Sequence, residues 1–120
     1  MKVETNGDFT RFQKVFGDYK RKFGLTGYKT YFKHEPLDGG FADITIEQPS
    51  MVVVVRWNKD HPAEHKPFED VKRSAKHEAI HLLLGRLQSV AYDRHCRQAQ
   101  IDEAVEEIVF KLEELIPNLK

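Results

Sequence analysis

The 120-residue sequence contains one cysteine, Cys96, and no long run of apolar residues. A single thiol cannot build a disulfide framework, which excludes the small disulfide-rich secreted proteins. A helix needs roughly 18 consecutive apolar residues to span a bilayer, and no segment approaches that length. The first residues also lack the apolar stretch of a secretory signal. We therefore expect a cytoplasmic protein with no membrane association.

The sequence also lacks net charge, because 19 acidic residues balance 19 basic ones. Without an overall positive potential, nothing favours nucleic acid or an anionic membrane as a partner. Residues 20–22 form a short basic cluster, which we interpret as a solvated helix face. A chain of this length forms one core, so residues 1–120 are predicted to be a single domain.

The first half of the chain predicts one helix and three strands. Aromatic and aliphatic residues recur every three or four positions over 8–23, which is typical of a helix with one buried stripe. Strands are predicted at 28–37, 41–47 and 51–58, the last of them rich in valine. Short turns between them predict a small antiparallel meander. The strand 51–58 fits either the centre or the edge of this sheet.

The second half of the chain is predicted to be helical. After a polar loop with two prolines, helical periodicity covers 68–92 and then 98–115. In the last helix, the apolar positions predict burial in the direction of Val105. An N-terminal helix, a mainly antiparallel three-stranded sheet and two C-terminal helices together indicate an α+β fold. In the first of these two helices, the residues expected to be buried are Ala75, Ala79, Leu82, Leu83, Leu84 and Leu87.

The clearest functional signal is the motif H-E-x-x-H at residues 77–81. On a helix, His77 and His81 lie one turn apart on the same face, so both imidazoles can bind one zinc ion. Glu78 is poorly placed as a ligand and well placed as a general base for a metal-bound water. The alternative is two neutral histidines beside a core, with no metal.

Catalytic zinc usually has three protein ligands, and the third is not part of this motif. Leu84 and Leu87 occupy the positions where metzincins carry glycine and histidine, which excludes that class. With burial towards Val105 and about 100° per residue, Glu106 is the glutamate best directed at a neighbouring helix. Asp102 is its geometric rival. Further candidates for the third ligand are His95, Glu103 and Glu107.

Two segments carry a family resemblance. The stretch "KHEAIHLLLG" and the later "EEIVFKLEELIP" resemble the gluzincin branch of the zincin metallopeptidases, including the minimal single-domain members and the ImmA/IrrE-type regulatory proteases. The resemblance covers roughly residues 40–117. It implies a zincin-like fold, a Zn²⁺ ion on His77, His81 and Glu106, and Glu78 as the catalytic base. Glu107 departs from the family, which usually has alanine after the ligand glutamate.

We therefore predict a zinc-dependent endopeptidase that acts on a protein or peptide substrate. The alternative is a non-catalytic zincin-like module that binds another protein, and an intact Glu78 favours the enzyme. Residues that could assist the developing oxyanion are Tyr92, Arg94 and His95. The remaining histidines, His34, His61 and His65, are expected at the surface.

Overall fold

The computed structural model describes residues 6–60 and 70–118, so His61 and His65 lie outside the described residues. Within these ranges the chain forms three helices and three strands, in agreement with the predicted α+β class. None of these helices is both long and apolar enough to cross a membrane. In chain order the elements are α1 (Asn6–Lys22), β1 (Lys29–Glu35), β2 (Ala42–Glu47), β3 (Val52–Asn58), α2 (Val71–Tyr92) and α3 (Gln98–Leu115).

The sheet is mixed, with strand order β1-β3-β2, so the predicted antiparallel meander is wrong. β3 pairs in parallel with β1, from Lys29 opposite Val52 to Glu35 opposite Asn58. On its other side, β3 pairs antiparallel with β2. The valine-rich β3 is the central strand, and its residues Val53, Val55 and Trp57 are buried in the core.

Helix α1 supplies the aromatic side of the core, as its periodicity predicts. Phe12 and Phe16 are fully buried, and Phe12 packs on Trp57 of β3 with ring centroids 4.9 Å apart. Phe16 meets Phe32 of β1 edge to face at 5.6 Å. Gly24 has a φ of 70°, a conformation that favours glycine, and it is the second residue after the end of α1.

Helix α2 packs against α1, α3 and β2. Its predicted buried residues Ala75, Ala79, Leu82 and Leu83 are buried, whereas Leu84 is 39% exposed and Leu87 is half-buried. A short connection at residues 93–97 reverses the chain into α3. The two C-terminal helices therefore form a hairpin, with only part of its apolar surface facing the core.

Helix α3 covers the predicted residues but buries a different side. Ala104 is its buried residue, at 1% exposure, while Val105 and Val109 are each 40% exposed. Small Ala104 allows close approach of α2, and Arg86 of α2 binds the carboxylates of Glu103 and Glu107 beside it. The expectation that α3 is buried in the direction of Val105 is therefore wrong.

Candidate metal centre

Helix α2 places the three residues of the H-E-x-x-H motif within one turn. The helix begins after Asp70, whose side chain accepts a hydrogen bond from the backbone N–H of Arg73 at 3.0 Å. His77 and His81 follow at the i, i+4 spacing and are both exposed. Glu78 lies one residue around the helix, on the side that is buried. The motif therefore combines two exposed histidines with one buried glutamate.

The two imidazoles are in direct contact. Their Nε2 atoms are 3.2 Å apart, and the rings are inclined at 72° to one another. Two nitrogens that each lie about 2.0–2.1 Å from one tetrahedral zinc ion are about 3.3 Å apart. In the metal-free structure the distance is that of an N–H···N hydrogen bond between the rings, and it also fits the spacing of two zinc ligands without a change in the backbone.

Glu78 is the buried charged residue beside them. Only 6% of it is exposed. Burial, followed by the nearby Asp43 carboxylate, raises the pKa of Glu78 to about 7. A carboxyl group with this pKa exchanges its proton near neutral pH, which is the property required of a general acid–base group.

A cleft of about 980 Å³ runs between α2 and β2, and the motif lies in its wall. β2 forms one wall of the cleft. It is an edge strand of the described sheet, because it pairs with β3 on one side and with no described strand on the other. His77, Glu78 and His81 line the opposite wall. The other lining residues of the cleft are Ala42, Asp43, Ile44, Ile46, Glu47, Gln48, Pro49, Ser50, Gly85, Gln88, Ser89 and Tyr92.

Two contacts hold β2 in position at this cleft. Arg56 of β3 binds both carboxylate oxygens of Asp43, with Nε donating to Oδ1 at 2.8 Å, and also donates to Glu35 of β1 at 3.2 Å. Gly85 of α2 faces β2 so closely that a Cβ there would lie 2.9 Å from side-chain atoms of Gln48 and Ile46. The cleft is narrow at Gly85 because the helix has no side chain at that position.

The structure does not bring Glu106 to the two histidines. Among the residues that it describes, no group of three or more His, Cys, Asp or Glu side chains is arranged to hold a metal. Glu106 is exposed on α3. At about 100° per residue, Glu106 points about 160° away from Ala104, the buried residue of α3. The expectation that Glu106 lies near a neighbouring helix rests on burial in the direction of Val105. Glu106 as third ligand stays a prediction, without the phase argument that selected it.

The rival candidates for the third ligand have other contacts or lie exposed. Glu103 and Glu107 both accept hydrogen bonds from the Arg86 guanidinium. The distance from Arg86 Nη2 to Glu103 Oε1 is 2.9 Å. Asp102 is exposed on α3, and His95 is exposed in the connection between α2 and α3, where its backbone N–H donates to Asp93. The structure therefore joins two of the predicted ligands and leaves the choice of the third open.

Of the residues predicted to assist an oxyanion, Tyr92 is the one that lines the cleft. Its hydroxyl accepts a hydrogen bond from the side chain of Gln88 at 3.1 Å, and the residue is 79% exposed. Arg94 is exposed in the connection that follows α2. His34, expected at the surface, is half-buried on β1 and stacks on Phe9 with centroids 4.6 Å apart.

Sequence reasoning missed two residues of this site. Asp43 influences the pKa of Glu78 from another strand, and no local pattern links the two positions. Gly85 had a usable signal, because an isolated glycine inside a helix indicates close approach of a neighbouring element.

Comparison of the chain with protein-family models, with curated proteins and with solved structures finds no match.

Proposed function

We propose that this protein is a zinc-dependent peptidase with a zincin-like site on α2. The observation that carries the proposal is the pair of Nε2 atoms 3.2 Å apart, next to a buried glutamate and on the wall of an open cleft. Structural histidines packed near a core do not need a glutamate with a pKa near 7 beside them. This combination favours hydrolysis over a purely structural role for the motif.

His77 and His81 would hold the ion through their Nε2 atoms, and a third ligand would come from Glu106 or from one of its rivals on α3 and in the α2–α3 connection. When bound, zinc supplies Lewis-acid polarisation of the substrate carbonyl and a lower pKa for water. The exposure of both imidazoles leaves room for further ligands and for solvent on the open side.

Glu78 would act as the proton carrier of the reaction. Its carboxylate accepts a proton from the attacking water and then delivers that proton to the leaving amine nitrogen. In the metal-free structure burial raises the pKa of Glu78 to about 7, and the positive charge of a bound zinc ion would lower this pKa and favour the carboxylate that accepts the proton. Glu78 is among the residues that line the cleft, although only 6% of it is exposed.

Strand β2 would align the substrate. The valine-rich β3 was one candidate for this role, but its central position leaves no free backbone edge. The unpaired edge of β2 in the described sheet borders the cleft, and an extended peptide can add to such an edge through main-chain hydrogen bonds. A main-chain mode of binding predicts a peptide or an unfolded protein segment as substrate.

One observation favours a second function, a non-catalytic module that binds a protein. Among the described residues, the two histidines are not joined by a third ligand side chain. A two-histidine site binds metal more weakly than a three-ligand site, and a module that has lost catalysis can keep the cleft as a binding groove. Intact Glu78 argues against this second function.

Metal analysis of the purified protein tests the proposal. We expect about one zinc per chain, because a catalytic site holds a single ion. His77→Ala and His81→Ala should each lose it, whereas His34→Ala, which removes a histidine of β1 outside the lining of the cleft, should retain it. Loss of zinc in Glu106→Gln but not in Glu107→Gln would identify the third ligand. A wild-type protein that binds no zinc, even when zinc is added, would contradict both functions.

A further inference from the structure

A second cavity adjoins the cleft at the end of β2. Its volume is about 670 Å³, and Gln48, Pro49 and Ser89 line both this cavity and the cleft. It is bordered by the connection between α1 and β1, by the turn at residues 48–51, and by residues of α2 and α3. Because that turn continues directly from β2, a peptide that follows the edge of β2 through the cleft reaches the second cavity where the strand ends.

The second cavity lies about 12 Å from the proposed zinc ligands. Ser89 follows His81 by eight residues on α2, and the rise of a helix is about 1.5 Å per residue. An extended peptide covers that distance in about four residues. A substrate whose scissile bond is at the zinc site therefore places a side chain at the second cavity about four residues away.

The lining of the second cavity includes a set of apolar groups. Leu25, Tyr28, Met51 and Val90 belong to it, and the hydroxyl group of Tyr28 already donates to Oε1 of Gln48 at 2.9 Å. The α1–β1 connection approaches Met51 closely, because a Cβ on its glycine at position 27 would lie 3.1 Å from the Met51 Cε atom. These groups provide an apolar surface for a side chain of a ligand.

The charged residues at the second cavity have partners within the protein. Arg86 binds the carboxylate of Glu107. Lys111 donates from Nζ to the carbonyl oxygen of Gly24 at 3.3 Å. A charged group of a ligand would compete with these contacts, whereas an apolar side chain leaves them in place and gains free energy from its burial.

Met51 has an unusual backbone conformation for a residue with a long side chain. Its φ of 54° lies in the left-handed region, which favours glycine or asparagine. Residues in this region are often found at binding sites, where the side chain has a role that offsets the strain. Met51 is 42% exposed, and the flexible methionine side chain adapts to apolar partners of different shapes.

We infer that the second cavity is a subsite for an apolar side chain, such as that of leucine, in an extended peptide. The edge of β2 holds the main chain of this peptide, and Met51 provides an apolar contact for the side chain. The subsite lies about four residues from the bond at the zinc site, and this spacing rests on the proposed function.

Two fluorescein-labelled peptides test the subsite. Each has nine residues of alternating threonine and serine, with either leucine or asparagine at the centre. Four residues on each side of the centre allow the central side chain to reach the cavity in either chain direction. Zinc-loaded Glu78→Gln protein prevents cleavage during the measurement. By fluorescence anisotropy, the leucine peptide should bind about tenfold more tightly or better, as expected for burial of one such side chain.

Substitutions in the turn at residues 48–51 locate this preference. Met51→Asn suits the left-handed backbone but removes the apolar side chain, so the preference for leucine should fall below about threefold. Met51→Leu restores an apolar side chain and should retain the preference. The control is Ser50→Asn, which places the same residue in the same turn but lines the cleft and not the second cavity. It should retain the full preference.

Urea unfolding separates binding from a structural role of Met51. If Met51 only stabilises the turn, Met51→Asn should change the urea midpoint and leave the preference for leucine unchanged, which would overturn the inference. Equal binding of the two peptides, or no binding of either, to the protein with Met51 would also overturn it.

Cleavage of an unfolded protein substrate tests the spacing separately from the peptidase activity. Mass spectrometry of the products from wild-type protein should find an apolar residue about four positions from the cleaved bond, on one side. Cleavage without this enrichment would refute the subsite. Absence of cleavage, together with a preference for leucine that depends on Met51, would refute the peptidase and leave a peptide-binding subsite.

Discussion

The two sides of α2 differ in how they accommodate charge. Towards α3, the Arg86 guanidinium is bound by two carboxylates, and these hydrogen bonds raise the pKa of Arg86. Towards β2, the carboxyl group of Glu78 is buried next to a second carboxylate, that of Asp43, and its pKa rises to about 7. The first arrangement keeps its charges paired and partly solvated. The second destabilises the charged form of a buried group.

This difference separates a structural contact from a candidate site. Paired charges at the α2–α3 contact need no further explanation, because each group has a partner of opposite sign. A buried glutamate with a raised pKa, next to two histidines in a cleft, is the pattern expected where proton transfer or metal binding occurs. Variants on the side facing β2 should therefore have large effects on activity, and variants at the contact with α3 should have small effects on stability.

The largest effect is expected from Glu78→Gln on the side facing β2. Loss of a general acid–base group lowers the rate of hydrolysis by about 10²–10⁴-fold. The zinc content should not change, because the imidazoles of His77 and His81 are untouched. Cleavage of an unfolded protein substrate, followed by gel electrophoresis, measures the effect. The control is Glu114→Gln, which changes an exposed carboxylate of α3 and should cleave the substrate at the rate of the wild type. Equal rates for Glu78→Gln and the wild type would refute the catalytic role of Glu78.

Two leucines of α2 compare its buried and exposed sides directly. Leu82 is 1% exposed and Leu84 is 39% exposed. Leu82→Ala should lower the free energy of unfolding by about 2–5 kcal/mol, because it leaves a cavity in the core. Leu84→Ala should cost about 1 kcal/mol or less, since much of the side chain already contacts solvent. Urea unfolding of both variants measures the two losses. Similar losses for Leu82→Ala and Leu84→Ala would contradict the described packing.

The pH dependence of stability should report on Glu78 in zinc-free protein. Its pKa rises from 4.5 to about 7 on folding, so the folded state holds this proton more tightly than the unfolded state. The contribution of Glu78 to stability is therefore greatest below pH 4.5 and falls as the pH rises through 7. Between about pH 4 and pH 8, the wild type should lose about 3 kcal/mol relative to Glu78→Gln.

Urea titrations of both proteins, with a chelator present, measure this difference at each pH. The comparison of the two proteins cancels the titration of groups that they share. A constant difference in unfolding free energy across this pH range would show that the Glu78 carboxyl group is not in the environment described here.

The smallest effect is expected from Arg86→Gln at the α2–α3 contact. Arg86 is 43% exposed in its side chain, and such ion pairs contribute about 0–1 kcal/mol each. The loss in unfolding free energy should shrink in about 1 M salt, because screening weakens exposed pairs. A loss as large as that of Leu82→Ala would mean that this contact determines the stability of the fold.

The local features of this molecule were predictable from its sequence. The boundaries of α3 and the aromatic stripe of α1 follow from residues close together in the chain, and both are confirmed. The geometry of His77 and His81 is equally local, because a helix sets the positions of residues four apart. The contact between the two imidazoles could therefore be anticipated without knowledge of the rest of the fold.

Features that depend on distant residues were not predictable in the same way. The turn signal at Gly39 and Gly40 suggested that the first two strands pair, but β3 lies between them, in a strand order that depends on pairing between distant segments. On α3, more large apolar residues lie on the exposed side than beside Ala104, so periodicity selected the wrong direction. The choice of Glu106 depended on that direction.

A crystal structure of the zinc-loaded protein, with anomalous diffraction at the zinc edge, tests the proposed site most directly. We expect one anomalous peak in the cleft between α2 and β2, about 2.0–2.1 Å from the Nε2 atoms of both His77 and His81. The same map would show which side chain completes the coordination. An anomalous peak bound elsewhere, with no peak at His77 and His81, would contradict the proposed zinc site.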